Sequence, residues 1–290
     1  MANLKELRNK IGVIQSTRKV TAAMKLVAGV KLRKAERKVS ESREYAIELN
    51  RILARLRREF LDAVPELFAG RKNVAAVLLV VFSSDRGLCG NFNYLIQKFV
   101  TEAVLGIRNV GASVHLVCVG KRLFDYCKNS SIGSDSLELV ADFYNVDNIY
   151  ENSKLLAEKI VKRFNDRKVD NVSVIFTKYL SAMKQMIEMR SLIPLESEIN
   201  HDETVTVFEP NVGEILQQLL PQNIAVQIYQ SALESIASEQ SIRMKSMDNA
   251  TRNADEMLYN FKIKYNRLRQ NKITQELVEV ISGAEAIVEG

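Results

Sequence analysis

The chain has 290 residues, and 47% of them are hydrophobic, so it can bury one substantial core and still have residues left over. No apolar run approaches the ~20 residues that a membrane span needs, so any membrane association is expected to be peripheral. Cys89, Cys118 and Cys127 form no CxxC pair and only two histidines are present, so neither a zinc site, nor a disulfide, nor a His-based triad is expected. The first residues lack an apolar signal core, so export is not expected.

The net charge of +6 is unevenly placed. Residues 1–60 carry 16 Lys and Arg against six Glu, whereas the rest of the chain carries 25 basic against 29 acidic residues. A basic helix could bind nucleic acid, but no aromatic residue is interleaved with these charges before Tyr45. A solvated helix face is therefore favoured.

A first long helix is predicted over residues 3–62, with Asn3 as its cap and Pro65 after its end. Its expected apolar stripe is Leu4, Leu7, Ile11, Ile14, Val20, Met24, Val27, Leu32, Ala35, Val39, Leu49, Ile52 and Leu56.

Strands and helices alternate in the central segment. Strands are predicted over residues 74–82, 113–119, 137–143, 172–179 and 185–193, with helices over 93–107, 121–128 and 150–167. This alternation predicts a doubly wound, mostly parallel α/β domain.

The loop after the first of these strands does not favour nucleotide binding or catalysis. It has neither G-x-G-x-x-G nor GxxxxGK[ST], the glycine patterns that bring backbone N–H groups onto phosphates. Gly87 to Gly90 match the short G-x-x-G of KH domains without the KH helices around it. Cys89 has no histidine near it in sequence to act as a base. A tight turn that needs glycine is the favoured interpretation.

The last helix is the longest predicted element. Residues 222–282 contain neither Gly nor Pro, so they form a helix of roughly 90 Å, longer than the ~50 Å diameter of a compact globule of this chain. Its expected stripe is Met247, Ala250, Ala254, Met257, Phe261, Tyr265 and Leu268, resuming after a phase slip as Ile273, Leu277, Ile281 and Ala284. Residues 243–272 carry eight basic and three acidic residues, whereas 273–290 carry four glutamates and no base.

The two long helices are expected to pair. Residues 1–62 and 211–290 are predicted to form an antiparallel coiled-coil shaft, with the α/β domain of residues 74–207 inserted between them. Such a molecule suits transmission or tethering better than chemistry.

Three stretches resemble one family. They are Thr17 to Ala28 (TRKVTAAMKLVA), Ser84 to Gly90 (SDRGLCG), and a C-terminal set of Ala237 to Met244, Asn249 to Ala254, Arg269 to Leu277 and Gly283-Ala284. These stretches follow one another in the order found in that family. By them the chain resembles, over essentially its full length, the γ subunits of rotary (F-type) ATP synthases of the bacterial type.

The resemblance implies a rotor with no catalytic, cofactor or metal site of its own. In that family the coiled coil penetrates a ring of α and β subunits, and its foot sits with ε on a membrane-embedded ring of c subunits, so proton flow is coupled to ATP synthesis or hydrolysis. It implies a peripheral location on the cytoplasmic side of the bacterial inner membrane, associated only through the complex, and no nucleic acid.

The resemblance also assigns residues to contact and coupling. Met24 matches a methionine near the base of the coiled coil, and Asp85, Arg86 and Cys89 match a turn near the base of β. Phe208 and Glu209 match a Y-E-P segment of the foot that faces ε and the c ring, with Phe in place of Tyr. The C-terminal helix contributes Arg243, Arg269, Gln270, Thr274 and Glu276.

Two other function classes remain open at this point. One is a basic coiled-coil tether or nucleic-acid-binding scaffold, which salt-sensitive DNA binding would favour. The other is a small-molecule enzyme of the α/β domain, which turnover by the purified chain would support.

The cysteines give a first prediction. Chloroplast members of the family carry an inserted cysteine pair before the last helix, whereas residues 193–210 here contain none. We expect no redox switching of activity. ATPase rates measured with and without dithiothreitol, in complexes whose other subunits lack cysteine, should agree, and a reproducible rise on reduction would contradict this.

Overall fold

The computed structural model describes residues 4–59, 66–71, 73–130, 135–144, 148–195 and 212–288. In these residues the helices are α1 (Leu4–Glu59), α2 (Glu66–Ala69), α3 (Phe92–Asn109), α4 (Lys121–Asn129), α5 (Ile149–Asn165) and α6 (Val212–Val288). The strands are β1 (Ala76–Phe82), β2 (Ser113–Val119), β3 (Ser136–Val140), β4 (Asn171–Tyr179) and β5 (Gln185–Ile193). The predicted end of the first helix at Asp62 lies outside the described residues.

The strands form one sheet in the order β3-β2-β1-β4-β5. The pairs β1–β2, β1–β4 and β2–β3 are parallel, and β5 is antiparallel to β4. Helices α3 and α4 cover one face, where Ile96, Val100 and Leu123 pack on the sheet. Helix α5 covers the other face together with parts of α1 and α6. The predicted doubly wound, mostly parallel sheet is confirmed.

Every seventh residue of α1 from Leu7 to Leu56 faces inward, and so does the residue four positions further on, with the exposed Arg18 as the exception. In the first series Leu7, Thr21, Ala28, Ala35, Leu49 and Leu56 are buried, and Ile14 and Ser42 are half-buried. In the second series Leu32, Val39, Ala46 and Leu53 are buried, and Leu4, Ile11 and Lys25 are half-buried. This is the heptad repeat of a helix that packs against another helix.

Helix α6 carries a matching repeat. Met247, Thr251, Ala254, Leu258, Phe261, Tyr265 and Leu268 follow one another at alternating spacings of four and three, and all are buried or half-buried. By contact density the chain divides into two compact units, residues 1–28 with 243–290, and residues 29–242.

In the first unit α1 and α6 run antiparallel. Thr251 Oγ1 donates to Thr21 Oγ1 at 2.8 Å, and Lys25 Nζ lies 2.6 Å from Asp248 Oδ1. Arg18 pairs with Asp255. Residue numbers fall on α6 as they rise on α1, which confirms the expected antiparallel pair.

In the second unit other segments of the same two helices also run antiparallel. Asn223 Nδ2 donates to Asn50 Oδ1 at 2.9 Å, and Gln230 Nε2 donates to the carbonyl oxygen of Ser42 at 3.1 Å. Thus polar side chains, as well as the buried apolar ones, join α1 to α6 in this unit.

The predicted stripes were wrong at several positions, because apolar character was used to choose them. Val20 and Val27 are each 56% exposed, and Ile52 is 42% exposed. The inward positions near them are held by Thr21, Lys25, Ala28 and Leu53. On α6, Met257 is 53% exposed and Leu258 is buried, and the half-buried Ala250 stands beside the seam residue Thr251.

The resumed stripe of α6 was also wrong as a coiled-coil seam. Ile273, Leu277, Ile281 and Ala284 are all exposed. The antiparallel register places Leu4 opposite Leu268, so the described part of α1 ends where this stretch of α6 begins. Within the described residues, the predicted phase slip on α6 is therefore the point where its pairing with α1 ends.

Helix α6 also begins earlier than residue 222, where the sequence predicted it. It starts at Val212 and contains Pro221, which has no N–H to donate to the preceding turn. Leu216 and Leu220 are buried in a cluster with Leu53 and Leu56 of α1. Burial of these leucines offsets the cost of the proline.

The seam on α6 gives a second prediction. Leu258→Ala should lower the free energy of unfolding by ~2 kcal/mol, because a buried leucine is lost from the helix pair. The neighbouring Met257→Ala is the control and should change it by no more than about 0.5 kcal/mol. The free energies of unfolding of both variants are measured by urea denaturation, with the helical circular dichroism signal as the readout. Equal losses would show that the seam has been assigned to the wrong residues.

Candidate functional site

The turn after β1 carries three of the residues expected to contact a partner. Asp85 and Arg86 are exposed, whereas Cys89 is buried. The Asp85 carboxylate accepts the backbone N–H of Lys121 at 3.0 Å and so caps the start of α4. The turn is therefore fixed to α4, and its charged side chains lie at the surface.

Cys89 holds the inside of this turn together. Its Sγ accepts a hydrogen bond from Asn93 Nδ2 at 3.2 Å, and Asn93 Oδ1 accepts the backbone N–H of Ser84 at 3.2 Å. The Ser84 hydroxyl donates to the carbonyl oxygen of Arg86 at 2.8 Å. A buried, hydrogen-bonded thiol packs as a small core residue, so any contact made by this turn must come from its neighbours.

Sequence reasoning missed Leu88 as the apolar part of this surface. Leu88 is 61% exposed and has a φ of 64°, a left-handed conformation that is uncommon outside glycine. Its position between Gly87 and Cys89 in the SDRGLCG stretch was the signal that could have found it, because glycines on both sides of Leu88-Cys89 indicate an unusual backbone.

Met24 is half-buried and flanks a polar section of the seam between α1 and α6. Here the facing layers are Arg18 with Asp255, Thr21 with Thr251, and Lys25 with Asp248. The hydrogen bond from Lys25 lowers the pKa of Asp248, so the carboxylate stays charged well below neutral pH. Sequence reasoning missed these residues because it sought apolar partners.

Arg252 adds a second cation to this section, with Nη2 2.8 Å from Asp248 Oδ2. Arg243, another residue expected to be functional, is half-buried on the same helix and already has an interaction partner.

The other four predicted residues of α6 lie just past its last seam residue, Leu268. Arg269, Gln270, Thr274 and Glu276 are all exposed. At 3.6 residues per turn these four fall on one half of the helix surface. Most exposed apolar residues of the stretch lie on that same half, namely Ile273, Leu277, Val280, Ile281 and Ala284, whereas Val278 lies on the other half.

This stretch, residues 269–284, forms a single helix with an apolar face and no partner among the described residues. The local contacts stay within the helix: Thr274 Oγ1 donates to the carbonyl oxygen of Gln270 at 3.0 Å, and Lys272 lies 3.5 Å from Glu276. The face of this helix that carries the predicted residues is thus open for a partner.

Phe208 and Glu209 lie outside the described residues, so the predicted foot contact stays a prediction. In the described ranges no group of three His, Cys, Asp or Glu residues could hold a metal ion. None of the helices in those ranges combines the length and apolar character that crossing a bilayer requires.

The comparisons with known proteins agree across the whole chain. A sequence model of the family described as ATP synthase matches residues 3–287. The ATP synthase gamma chain of Magnetococcus marinus is 38% identical over 291 residues, 99% of each chain. That of Ruegeria sp. is 38% identical over 99% of this chain and 100% of its own length.

Solved structures share the fold at low identity. A chain of the mitochondrial ATP synthase of Euglena gracilis, in an OSCP/F1/c-ring structure, aligns with a TM-score of 0.64 and 14% identity over 98% of this chain and 94% of its own. A chain from the central stalk/c-ring structure of Tetrahymena thermophila aligns with a TM-score of 0.58 and 22% identity over 80% of this chain and 99% of its own. Family match and identity over full length together show that this chain belongs to the ATP synthase gamma chain family.

Proposed function

We propose that the chain is the central-stalk rotor of an ATP synthase and transmits torque between a proton-driven c ring and a catalytic ring of α and β subunits. The observation that carries this proposal is the stretch of α6 from residue 269 to 284, which has no partner helix among the described residues. Residues 269–284 expose one continuous apolar face, with Arg269, Gln270, Thr274 and Glu276 beside it. An apolar face of this length is costly in water, so it needs a surrounding partner.

A rotor needs a bearing that touches it without holding it. Directional hydrogen bonds would each have to break in every turn, at about 1 kcal/mol net, whereas apolar contact is not directional. The exposed Ile273, Leu277 and Ile281 fit such a sleeve. The polar residues at the base of the stretch are suited to reversible contacts with β.

The basic charge of the first 60 residues suits a contact with acidic segments, which we propose belong to β. The first 60 residues carry ten more basic than acidic residues, and exposed opposite charges attract while being weakened by salt and water. Such contacts are weak enough to be exchanged as the shaft turns. The surface turn with Asp85, Arg86 and Leu88 belongs to the same set of proposed β contacts.

The remaining partners are proposed from the family resemblance. Phe208 and Glu209 belong to the segment that we assign to ε and the c ring. The division into a shaft of residues 1–62 and 211–290 and an inserted domain of residues 74–207 is proposed on the same basis. The location that follows is peripheral, on the cytoplasmic side of the bacterial inner membrane.

We propose that the chain itself is not catalytic. Cys89 is enclosed in its turn, and His115 lies at the amino end of β2, where its Nδ1 is 2.7 Å from Ser136 Oγ. The turn that contains Cys89 follows the carboxyl end of β1, whereas His115 lies near the amino end of β2. Cys89 and His115 are thus at opposite ends of the parallel strands. Catalysis in the complex is driven by differential contacts of the rotor with each β conformation.

Met24 gives a third prediction. Met24→Lys should leave ATP hydrolysis in place and lower the number of protons pumped per ATP, because a lysine at this half-buried site offers a new partner to β carboxylates. Hydrolysis and proton uptake are measured together in inverted membrane vesicles. Exposed Ala23→Lys, one residue away, controls for added charge. Unchanged pumping at equal hydrolysis would identify Met24 as a packing residue.

Graded truncation gives a fourth prediction. Deleting residues 283–290 should leave assembly and ATP-driven proton pumping largely intact, because the pairing of α6 with α1, in the residues that the structure describes, ends near Leu268. Deleting the chain from Gln270 onward should reduce pumping severely, since it removes the apolar face together with Gln270, Thr274 and Glu276.

Each truncated chain and the wild type are also purified, and any α and β subunits that co-purify are identified by mass. Co-purification of the wild type tests the proposed function itself. A wild-type chain that does not co-purify with α and β would refute the rotor proposal. Loss of pumping on deleting only the last eight residues would show that the tip is an anchor.

A further inference from the structure

The sheet has a topological switch point between β1 and β4. From β1 the chain continues through β2 to β3 on one side, and it then returns to place β4 on the other side of β1. In open α/β sheets the crevice at the carboxyl ends of such a strand pair is where ligands bind. Here that edge is formed by the residues that follow Phe82 and by the last residues of β4.

Helix α6 occupies this edge. Ser238 Oγ donates to the carbonyl oxygen of Thr177, near the end of β4, at 3.0 Å. Ser241 Oγ donates to the carbonyl oxygen of Ala182, in the turn after β4, at 3.0 Å, and Gln185 Nε2 lies 3.4 Å from the same hydroxyl. Ser238 and Ser241 are fully buried.

The helix crosses from one face of the sheet to the other at this point. Ala232 and Leu233 belong to the core that α5 covers, whereas Ile242 packs on the core that α3 and α4 cover. The small residues Ala237 and Ser238, each 0% exposed, let the helix approach the strand ends closely.

The neighbouring strand ends are also covered. The Tyr144 hydroxyl donates to the carbonyl oxygens of Ser83 and Val119, at the ends of β1 and β2. Burial, followed by the charges of Glu239 and Asp85, raises the pKa of Tyr144 well above its ordinary value. The carboxyl ends of β1 and β2 are thus covered by Tyr144, while Ser238 of α6 bonds the end of β4.

We propose that this crossing is a mechanical joint, in which Ser238 and Ser241 are positioning residues that fix α6 to the carboxyl edge of the sheet. The proposal rests on the proposed rotor function, because it states how rotation of the sheet is passed to α6. The place that binds a ligand in other open α/β sheets thus holds a helix of the same chain.

The geometry explains why serine suits this role. Positions 238 and 241 are three apart and lie on one side of the helix, and their acceptors belong to residues five apart in sequence. Two directional bonds at separate points oppose rotation of the helix about its own axis, which non-directional apolar contact resists less.

The test uses the assembled ATP synthase in inverted membrane vesicles, with Ser238→Ala/Ser241→Ala as the joint variant. Ser231→Ala is the matched control, because Ser231 is buried on the same helix but donates to Gln227 of that helix, at 2.8 Å. Hydrolysis and proton uptake are measured together, and hydrogen exchange is measured on residues 233–242.

Each lost hydrogen bond should shift the balance between docked and released α6 by roughly fivefold, so amide exchange in the joint variant rises by about 25-fold. A joint that is released more often passes on less rotation, so the number of protons pumped per ATP should fall below that of the wild type. Hydrolysis should stay near the wild-type rate, and the control should match the wild type in all three measurements.

Faster exchange with wild-type pumping per ATP would overturn the joint and leave the two serines with a structural role alone. Unchanged exchange would overturn it as well. Wild-type complexes that hydrolyse ATP without pumping would instead overturn the rotor function, and the joint with it. If the double variant does not assemble, Ser238→Ala alone is measured in the same way, with an expected rise in exchange of roughly fivefold.

Discussion

The seven-residue repeat shared by α1 and α6 is the constraint on which the rest of the structure depends. On each helix the same heptad positions face the partner helix throughout the described seam, because a residue seven positions along the helix returns to the same side. On α1 that phase runs from Leu7 to Leu56 without an insertion. Because the phase is constant, the identity of a side chain at an inward position matters less than its position, and polar residues can occupy it.

The polar layers show what this allows. Between Arg18 and Lys25 the helices face each other through ion pairs and a threonine pair, with Ala28 as the next apolar layer. Exposed ion pairs add little stability, typically about 0–1 kcal/mol each. Their value lies in register, because a shift by one turn would leave Lys25 and Asp248 without each other. A seam that is weak but fixed in register suits a shaft that must stay aligned under load.

Much of the fold followed from periodicity in the sequence. The run of apolar residues before Ser83 predicted the central strand β1, because a strand buried on both faces is apolar throughout. The alternation of strands and helices after it predicted the doubly wound sheet. The exposed residues Arg269, Gln270, Thr274 and Glu276 were found through the family motif. Their exposure on one half of α6 agrees with a contact role, which stays a prediction.

Other features could not be predicted, because they depend on tertiary contacts. Leu258, rather than Met257, is buried, since the register is set by the partner helix and both residues are equally apolar. Pro221 lies inside α6 because Leu216 and Leu220 gain a core. The bonds of Ser238 and Ser241 join α6 to the end of β4 and to the turn after it, some sixty residues away in sequence, and no local pattern indicates them.

The rotor proposal is tested most directly by observing rotation of this chain. Val110, after the end of α3, is 87% exposed, and the three native cysteines are buried, so Val110→Cys offers one accessible site for a probe. The complex is immobilised through its α and β subunits, and the probe is followed in single molecules during ATP hydrolysis. We expect stepwise rotation of the probe in one direction, which stops when ATP is removed. Sustained hydrolysis with a stationary probe on an intact, coupled complex would contradict it.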